Sequence, residues 1–455
     1  MQPQIKTGRI WRYPAMMVIS SFALVDLMGT LLLLLPWCNT AGLSPVDALF
    51  TSTSAICVTG LTVVNTATAF TTAGKWVILA LIQIGGLGVM TFSVLFTMGL
   101  RGHIGLSSQF VIQESFLHLR HSGIKGLIST ILVFTAVVEG VMALVMTLAF
   151  LPYSGSPYEA LFQGIFHSVS AFCNAGFSTF PDGLESFRAS FPVSLSVMAA
   201  VFLGSTGFAI IHELWQKISA RAHAPKGFSL HFRVTMAAHL LLLAVGTLGI
   251  MVLESDNMLS GMGIGEKLLV ASFHSVSART AGFNTISIHC LTENCLYLLI
   301  LLMFIGACPS STGGGIKTTT AAVLFSMAVS RLRGFSQTVI FRRTIPEDQT
   351  DRAVTLFILA VVTVLGAHML LMFAGTSVPF EHAHGEFLAY LFEAVSGLGT
   401  VGLSVGITPK LGLAGKLVMI VIMFVGRVGL LSILSVLSMT GRKEYHYSPE
   451  RVMIG

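Results

Sequence analysis

FHSVSAFCNAGF (166–177) and FHSVSARTAGF (273–283) share their first six letters and both end in Ala-Gly-Phe. Two further stretches fit the same frame, FTSTSAICVTGL (50–61) and FEAVSGLGTVGL (392–403). Each has a Phe, a Ser four residues later (Ser54, Ser170, Ser277, Ser396), then a Gly and a Leu or Phe. The glycines are Gly60, Gly176, Gly282 and Gly402, separated by 116, 106 and 120 residues. A unit repeated at that period is one structural module used four times, and it sets the architecture of the chain.

Working outward, each of these stretches is apolar for too few residues to cross a bilayer, which takes about 20. Longer apolar segments flank them at 14–36, 76–98, 127–151, 192–215, 234–253, 296–329, 353–373 and 413–439. These eight read as spans, the sixth interrupted by Gly306, Pro309 and Gly313 to Gly315. The short stretches between paired spans read as re-entrant: they enter the membrane and return on the same side. The chain of 455 residues is therefore expected to be all-α and polytopic, a single membrane domain. It carries four parallel helix–pore loop–helix repeats around a pseudo-fourfold central pore, at about 14–100, 125–218, 232–334 and 350–440, with a tail at 441–455.

Composition agrees. Hydrophobic residues make up 54% and charged residues 10%, with a mean hydropathy of +0.82. A soluble domain carries about 25% charged residues, so a water-facing enzyme surface and intrinsic disorder are both excluded. With both termini inside, the segments 1–13, 99–126, 216–233, 330–352 and 440–455 hold 18 of the 26 Lys and Arg, as the positive-inside rule requires. The opposite face holds eleven carboxylates against five basic residues, an excess that concentrates cations at an outer mouth. The basic loops lack the stacking aromatics of a nucleic-acid surface. Cys290 and Cys295 bracket a polar loop and could pair if it faces an oxidising side.

A half-helix that stops inside the membrane points its C-terminal carbonyls, and their partial negative charge, at the centre. Four such ends about one axis favour a cation. The chain then returns as extended backbone, whose carbonyls can replace the water around the ion, and Gly supplies the φ > 0 geometry that turns a carbonyl inward. The fourth loop, Thr400-Val401-Gly402-Leu403, matches the start of the potassium-channel filter TVGYG. Together with CVTGL (57–61), RTAGFNT (279–285) and GTVGLS (399–404), the chain resembles the Trk/Ktr/HKT potassium transporter superfamily, and in size the KtrB-type subunit.

That resemblance implies potassium uptake across the cell (inner) membrane, with both termini cytoplasmic and sodium as a candidate co-ion. It also implies a homodimer, a cytoplasmic KtrA-type nucleotide-binding regulatory ring and no covalent cofactor. Carried over by position, the filter is Val58, Thr59, Gly60 and Leu61; Asn174, Ala175, Gly176 and Phe177; Thr280, Ala281, Gly282 and Phe283; and Thr400, Val401, Gly402 and Leu403. Four glycines, with no serine substituted, favour potassium over sodium. One glycine per repeat with unlike flanks implies looser selectivity than in true channels.

The interruption GACPSSTGGGIKTTT (306–320) is not a phosphate loop, because Ile316 separates Gly315 from Lys317 and no strand precedes it. Pro and clustered Gly unwind the span at a cost of several kcal/mol. By resemblance, Gly306, Pro309, Ser310, Ser311, Thr312, Gly313, Gly314, Gly315 and Lys317 form a gate loop below the filter. Arg427 lies mid-way along the last span, and the resemblance implies that it acts with them as an electrostatic barrier; the alternative is an ion pair with Asp26 or Glu139. Arg279 is expected to brace the third filter loop, and His239 and His368 to be hydrogen-bonded packing residues.

Two other function classes fit the sequence less well. A transporter of organic solutes built on half-helices uses inverted repeats, whereas two spans between successive loops make these repeats parallel. A membrane enzyme would need a nucleophile elbow or a His/Cys/Asp/Glu cluster, and the sequence offers neither.

Overall fold

The computed structural model describes residues 14–40, 42–88, 124–220, 227–375 and 385–429. Four long helices, α1 (Pro14–Leu33), α4 (Ile124–Phe150), α8 (Leu230–Leu253) and α12 (Glu347–Ala374), each lead into a shorter one. The short helices are α2 (Pro45–Ile56), α5 (Pro157–Phe172), α9 (Ile264–Ser277) and α13 (Glu386–Gly399). At 12 to 16 residues they reach roughly 18–24 Å, short of the ~30 Å hydrocarbon core. After each comes an irregular return segment and another helix: α3 (Thr72–Gly86), α6 (Phe191–Thr206), α10 (Glu293–Phe304) and α14 (Leu413–Val428). Beyond these, α7 (Phe208–Ala220) follows α6 and α11 (Thr318–Leu332) follows α10. A two-stranded hairpin, β1 (Val339–Ile340) with β2 (Arg343–Thr344), links α11 to α12.

Local sequence explains where the first two short helices begin. Ser44-Pro45 and Ser156-Pro157 place a hydroxyl at the N-cap and a proline in the first turn. The capping oxygens accept from the backbone amides of Asp47 and Glu159, which put acid beside the positive helix end. Serine hydroxyls then fasten three short helices to the long ones before them. Ser52 donates to the Asp26 carbonyl at 2.8 Å, Ser168 to that of Glu139 at 2.7 Å and Ser275 to that of Leu243 at 2.9 Å. The polar faces are inside. On α4 the exposed positions Val133, Val137, Val141, Leu144 and Leu148 recur at helical spacing, an apolar stripe turned outward as lipid requires.

Among the described residues, three helices are long and apolar enough to cross a membrane alone, Ile131–Tyr153, Leu230–Leu253 and Glu347–Ala374. Apolar but shorter are Ile19–Leu33, Thr72–Gly86 and Glu293–Phe304. The second and eighth expected spans run on past residues 88 and 429, outside the described residues. The sixth is interrupted as expected, helical to Phe304 and again from Thr318. The fourth expected span, 192–215, is apolar enough but not straight: Phe191–Thr206 and Phe208–Ile218 meet at a 94° bend. Its hinge is Gly207, at φ +94°, where a side chain would strike the Pro309 carbonyl. The Phe208 amide donates to the Ser310 carbonyl at 2.8 Å, so the interrupted sixth segment lodges against the bend.

Candidate functional site

The four return segments begin alike. Val58, Asn174, Thr280 and Thr400 all have positive φ, at 55°, 61°, 78° and 48°, directly below the end of a short helix. The signature glycines follow two residues later, with φ of 92°, 69°, 76° and 93°. Left-handed backbone at a β-branched residue is strained, and here it recurs at the same place in three of four segments. Packing holds it: Val58, Asn174, Thr280 and Thr400 have no solvent exposure.

The glycines meet one another in order. A side chain at Gly60 would strike the Ala175 carbonyl and lie 3.1 Å from the Cα of Gly176. At Gly176 it would meet the Ala281 carbonyl, 3.0 Å from the Cα of Gly282. At Gly282 it would meet the Val401 carbonyl, 3.1 Å from the Cα of Gly402. At Gly402 it would strike the Thr59 carbonyl, 3.1 Å from the Cα of Gly60. The succession closes on itself, and each link sets a glycine against a peptide oxygen of the next segment.

The repeated Ser of each motif pins these segments from behind. Ser396 accepts from the Gly402 amide at 3.1 Å and donates to the Leu403 carbonyl at 2.7 Å; Ser54 accepts from the Gly60 amide at 3.1 Å. Ser170 and Ser277 donate to the Phe177 and Phe283 carbonyls at 2.8 and 2.5 Å. Replacing Ser396 by Ala strands one buried amide and one carbonyl, a loss of about 1–3 kcal/mol. We expect the S396A protein to melt at lower temperature in detergent than the S404A protein. Ser404 is only partly buried, and its loss leaves the Gly402 segment pinned.

Below the return segments lies loop 305–317, held by the Gly306 amide on the Ile316 carbonyl at 2.9 Å. A side chain at Gly313 would strike the Thr280 hydroxyl, and one at Gly314 the Thr400 hydroxyl, so the loop sits directly against two of the strained residues. Thr312 donates to the carbonyls of Phe172 and Gly204, each at 3.1 Å, and Lys317 to that of Gly313 at 2.7 Å. Arg427 donates to the carbonyls of Thr312 and Gly85. The expected alternative, an ion pair with Asp26 or Glu139, is not what holds Arg427: it bridges the loop and the end of α3.

A family model described as "TrkH: Cation transport protein" matches residues 6–443. The chain belongs to the TrkH family of cation transport proteins. Among its relatives is the Ktr system potassium uptake protein B of Bacillus subtilis (strain 168), 37% identical over 444 residues and 97% of each chain. The potassium/sodium uptake protein NtpJ of Enterococcus hirae is 36% identical over 97% of each chain. The crystal structure of the potassium transporter TrkH from Vibrio parahaemolyticus shares the fold, with a TM-score of 0.70 at 20% identity, covering 97% of this chain and 87% of that one. A TrkH-family chain with several apolar helices is a multi-pass membrane protein, and its family is one of transporters rather than enzymes.

Beside the expected residues, this TrkH-family chain uses some that sequence reading did not single out. The residue after each signature Phe faces its own return segment in two cases. Glu393, fully buried, accepts from Ser404 at 2.5 Å and Thr408 at 2.7 Å, and the ring of His167 meets Ser178 at 3.0 Å. The signal was present as the varying letter of an otherwise fixed motif. Glu393 and the buried Glu254, counted from sequence among the acids of an outer face, are interior braces instead. Glu185, on the loop before α6, is only partly buried, and burial together with Asp182 raises its carboxyl above the usual range. Arg279, 1% exposed, donates to the ring of His239 at 2.9 Å and to its carbonyl at 3.2 Å, bracing the third segment against α8. His368 packs edge-on against Phe387. Cys290 and Cys295 are both free thiols.

Proposed function

We propose that this chain takes up potassium ions across the cell membrane through a carbonyl-lined filter at the pseudo-fourfold axis of four repeats. The repeats are 14–100, 125–218, 232–334 and 350–440, and both termini are cytoplasmic. The observation that carries this reading is the closed succession Gly60, Gly176, Gly282, Gly402, in which peptide oxygens of Thr59, Ala175, Ala281 and Val401 fall between neighbouring glycines. Peptide oxygens at four equivalent positions are hard donors of the kind that replace the hydration shell of a monovalent cation. They also answer why polar backbone is tolerated at membrane depth. The names of the relatives, potassium uptake and potassium/sodium uptake, point the same way.

Loop 305–317 is the gate in this reading. It sits against the first residues of two return segments, and two cations, Lys317 and Arg427, hold its carbonyls. A positive charge below the filter raises the barrier to a departing cation until the loop moves. A homodimer regulated by a cytoplasmic nucleotide-binding ring completes the proposal; the word system in the relatives' names fits a further component.

The test is flux in proteoliposomes holding the purified full chain. Potassium and rubidium are expected to enter well ahead of sodium. An inward sodium gradient that accelerates potassium entry beyond its effect on voltage identifies sodium as co-ion. Equal permeation of all three ions would defeat the filter.

A further inference from the structure

The hairpin between α11 and α12 has no part in the filter, yet its construction is unusual. Its two-residue turn is Phe341-Arg342, both left-handed at φ 47° and 61°. Asn and Gly fill such turns because side chains there are strained; a bulky aromatic and an arginine are retained at a cost, which points to work done at the tip. Phe341 is 52% exposed, and in the segment leading to it Phe335 is 56% and Leu332 88% exposed. Arg333, Arg342 and Arg343 are exposed and, among the described residues, without an ion pair. No acid occurs from 331 to 346; the first are Glu347 and Asp348, in the opening turn of α12.

Exposed apolar and basic residues are interleaved along one short segment, 332–343. Leu332 continues the outward face of α11, on which Phe325 is 73% exposed seven residues earlier. An acidic soluble protein would satisfy the arginines and leave Leu332, Phe335 and Phe341 in water. A leaflet boundary satisfies both, Leu and Phe side chains at the junction of headgroups and acyl chains and guanidinium groups on phosphates.

The hairpin also grips the element that leads to the loop. Ile340 and Ile345 pack with Val234 of α8 and against Ala322 and Val323 in the first half of α11, and the Val339 amide donates to the Ser330 hydroxyl at 3.2 Å. The N-cap of α11 is Lys317, whose ammonium holds the Gly313 carbonyl. A force on the tip reaches the loop through one helix.

We propose that the tip of the 339–344 hairpin binds anionic phospholipid headgroups of the cytoplasmic leaflet, and that occupancy biases loop 305–317 through α11. The regulatory half of this inference rests on the gate reading above; the binding half does not. Two measurements on the full chain test it. Native mass spectrometry compares retention of phosphatidylglycerol with that of phosphatidylcholine. Rubidium flux is followed in vesicles of phosphatidylcholine alone and with one-third phosphatidylglycerol.

Wild type is expected to retain phosphatidylglycerol preferentially and to change its flux several-fold between the vesicles. The double variant Arg342→Gln/Arg343→Gln should bind phosphatidylglycerol roughly 25-fold more weakly, since each surface arginine contributes about a factor of five. Its flux should match wild type in phosphatidylcholine and ignore the anionic lipid, while Arg342→Lys/Arg343→Lys keeps most of the response. Retention and lipid response unchanged in the glutamine variant would overturn the proposal. So would unchanged retention combined with a lost flux response, which would assign the arginines to a step other than lipid binding. A chain without potassium flux defeats the transport reading, and the retention measurement still decides the lipid site.

Discussion

Gly402→Ser should lower discrimination of potassium over sodium by about tenfold or more, the equivalent of ~1.4 kcal/mol between the two ions in the filter. Two independent costs meet at this position. The backbone sits at φ +93°, where an L side chain is strained by on the order of 1–3 kcal/mol. The new Cβ would also overlap the Thr59 carbonyl oxygen and press on the Cα of Gly60, 3.1 Å away. The strain is relieved only by moving one of two neighbouring peptide oxygens, and a displaced oxygen fits the larger, more weakly hydrated ion less well. Gly282→Ser should behave alike, since its Cβ lies equally close to a glycine Cα, that of Gly402 at 3.1 Å, and 2.5 Å from the Val401 carbonyl oxygen. Gly412→Ser is the control: Gly412 caps α14 at φ −66°, and a Cβ added there would have no atom within 4 Å. Relative uptake of potassium, rubidium and sodium in a potassium-requiring host measures all three. Selectivity unchanged in both filter variants would remove the glycines from the ion path.

Much of this site was legible because one local problem is solved four times. The half-helix, the pinning Ser and the left-handed Gly each need a particular residue type, and the motif FHSVSA carries that need into the sequence twice without change. What the motif could not convey is the conformation of Val58, Thr280 and Thr400. β-Branched residues are poor candidates for positive φ, and only surrounding packing holds them there. The bend at Gly207 was hidden for a different reason. Hydropathy averages over 192–215 and registers an apolar span; the hinge depends on the Pro309 carbonyl, 102 residues away. Arg427 was recognised as costly in the membrane, but its solution, two peptide carbonyls rather than a carboxylate, depends on where Thr312 and Gly85 come to lie. Contacts of that range leave no periodic trace.

Removing Gly313 to Gly315 should raise basal flux by about tenfold, because these residues occupy the space beneath Thr280 and Thr400. The deletion also takes away the carbonyl that Lys317 holds and separates Thr312 from its present position under Arg427. A shortened loop has to span from Gly306, bonded to Ile316, with fewer residues, so it withdraws from the return segments rather than closing over them. Since a deletion can also impair folding, Arg427→Gln provides a second route to the same state. It keeps a polar amide donor on a shorter side chain and removes the charge; a barrier of ~1.4 kcal/mol from that charge corresponds to about tenfold in rate. The two variants should raise flux without altering the potassium-to-sodium ratio, because the four glycines and their Ser pins are untouched. The double variant should gain little over either single one if loop and arginine form one obstacle, and the product of both gains if they are separate. Rubidium efflux from proteoliposomes, with the chain quantified in each preparation, reads all of these outcomes. Flux at the wild-type level in both single variants would mean that the ion path does not pass the loop. A changed ion ratio would mean that the loop holds the filter in shape instead of obstructing what leaves it.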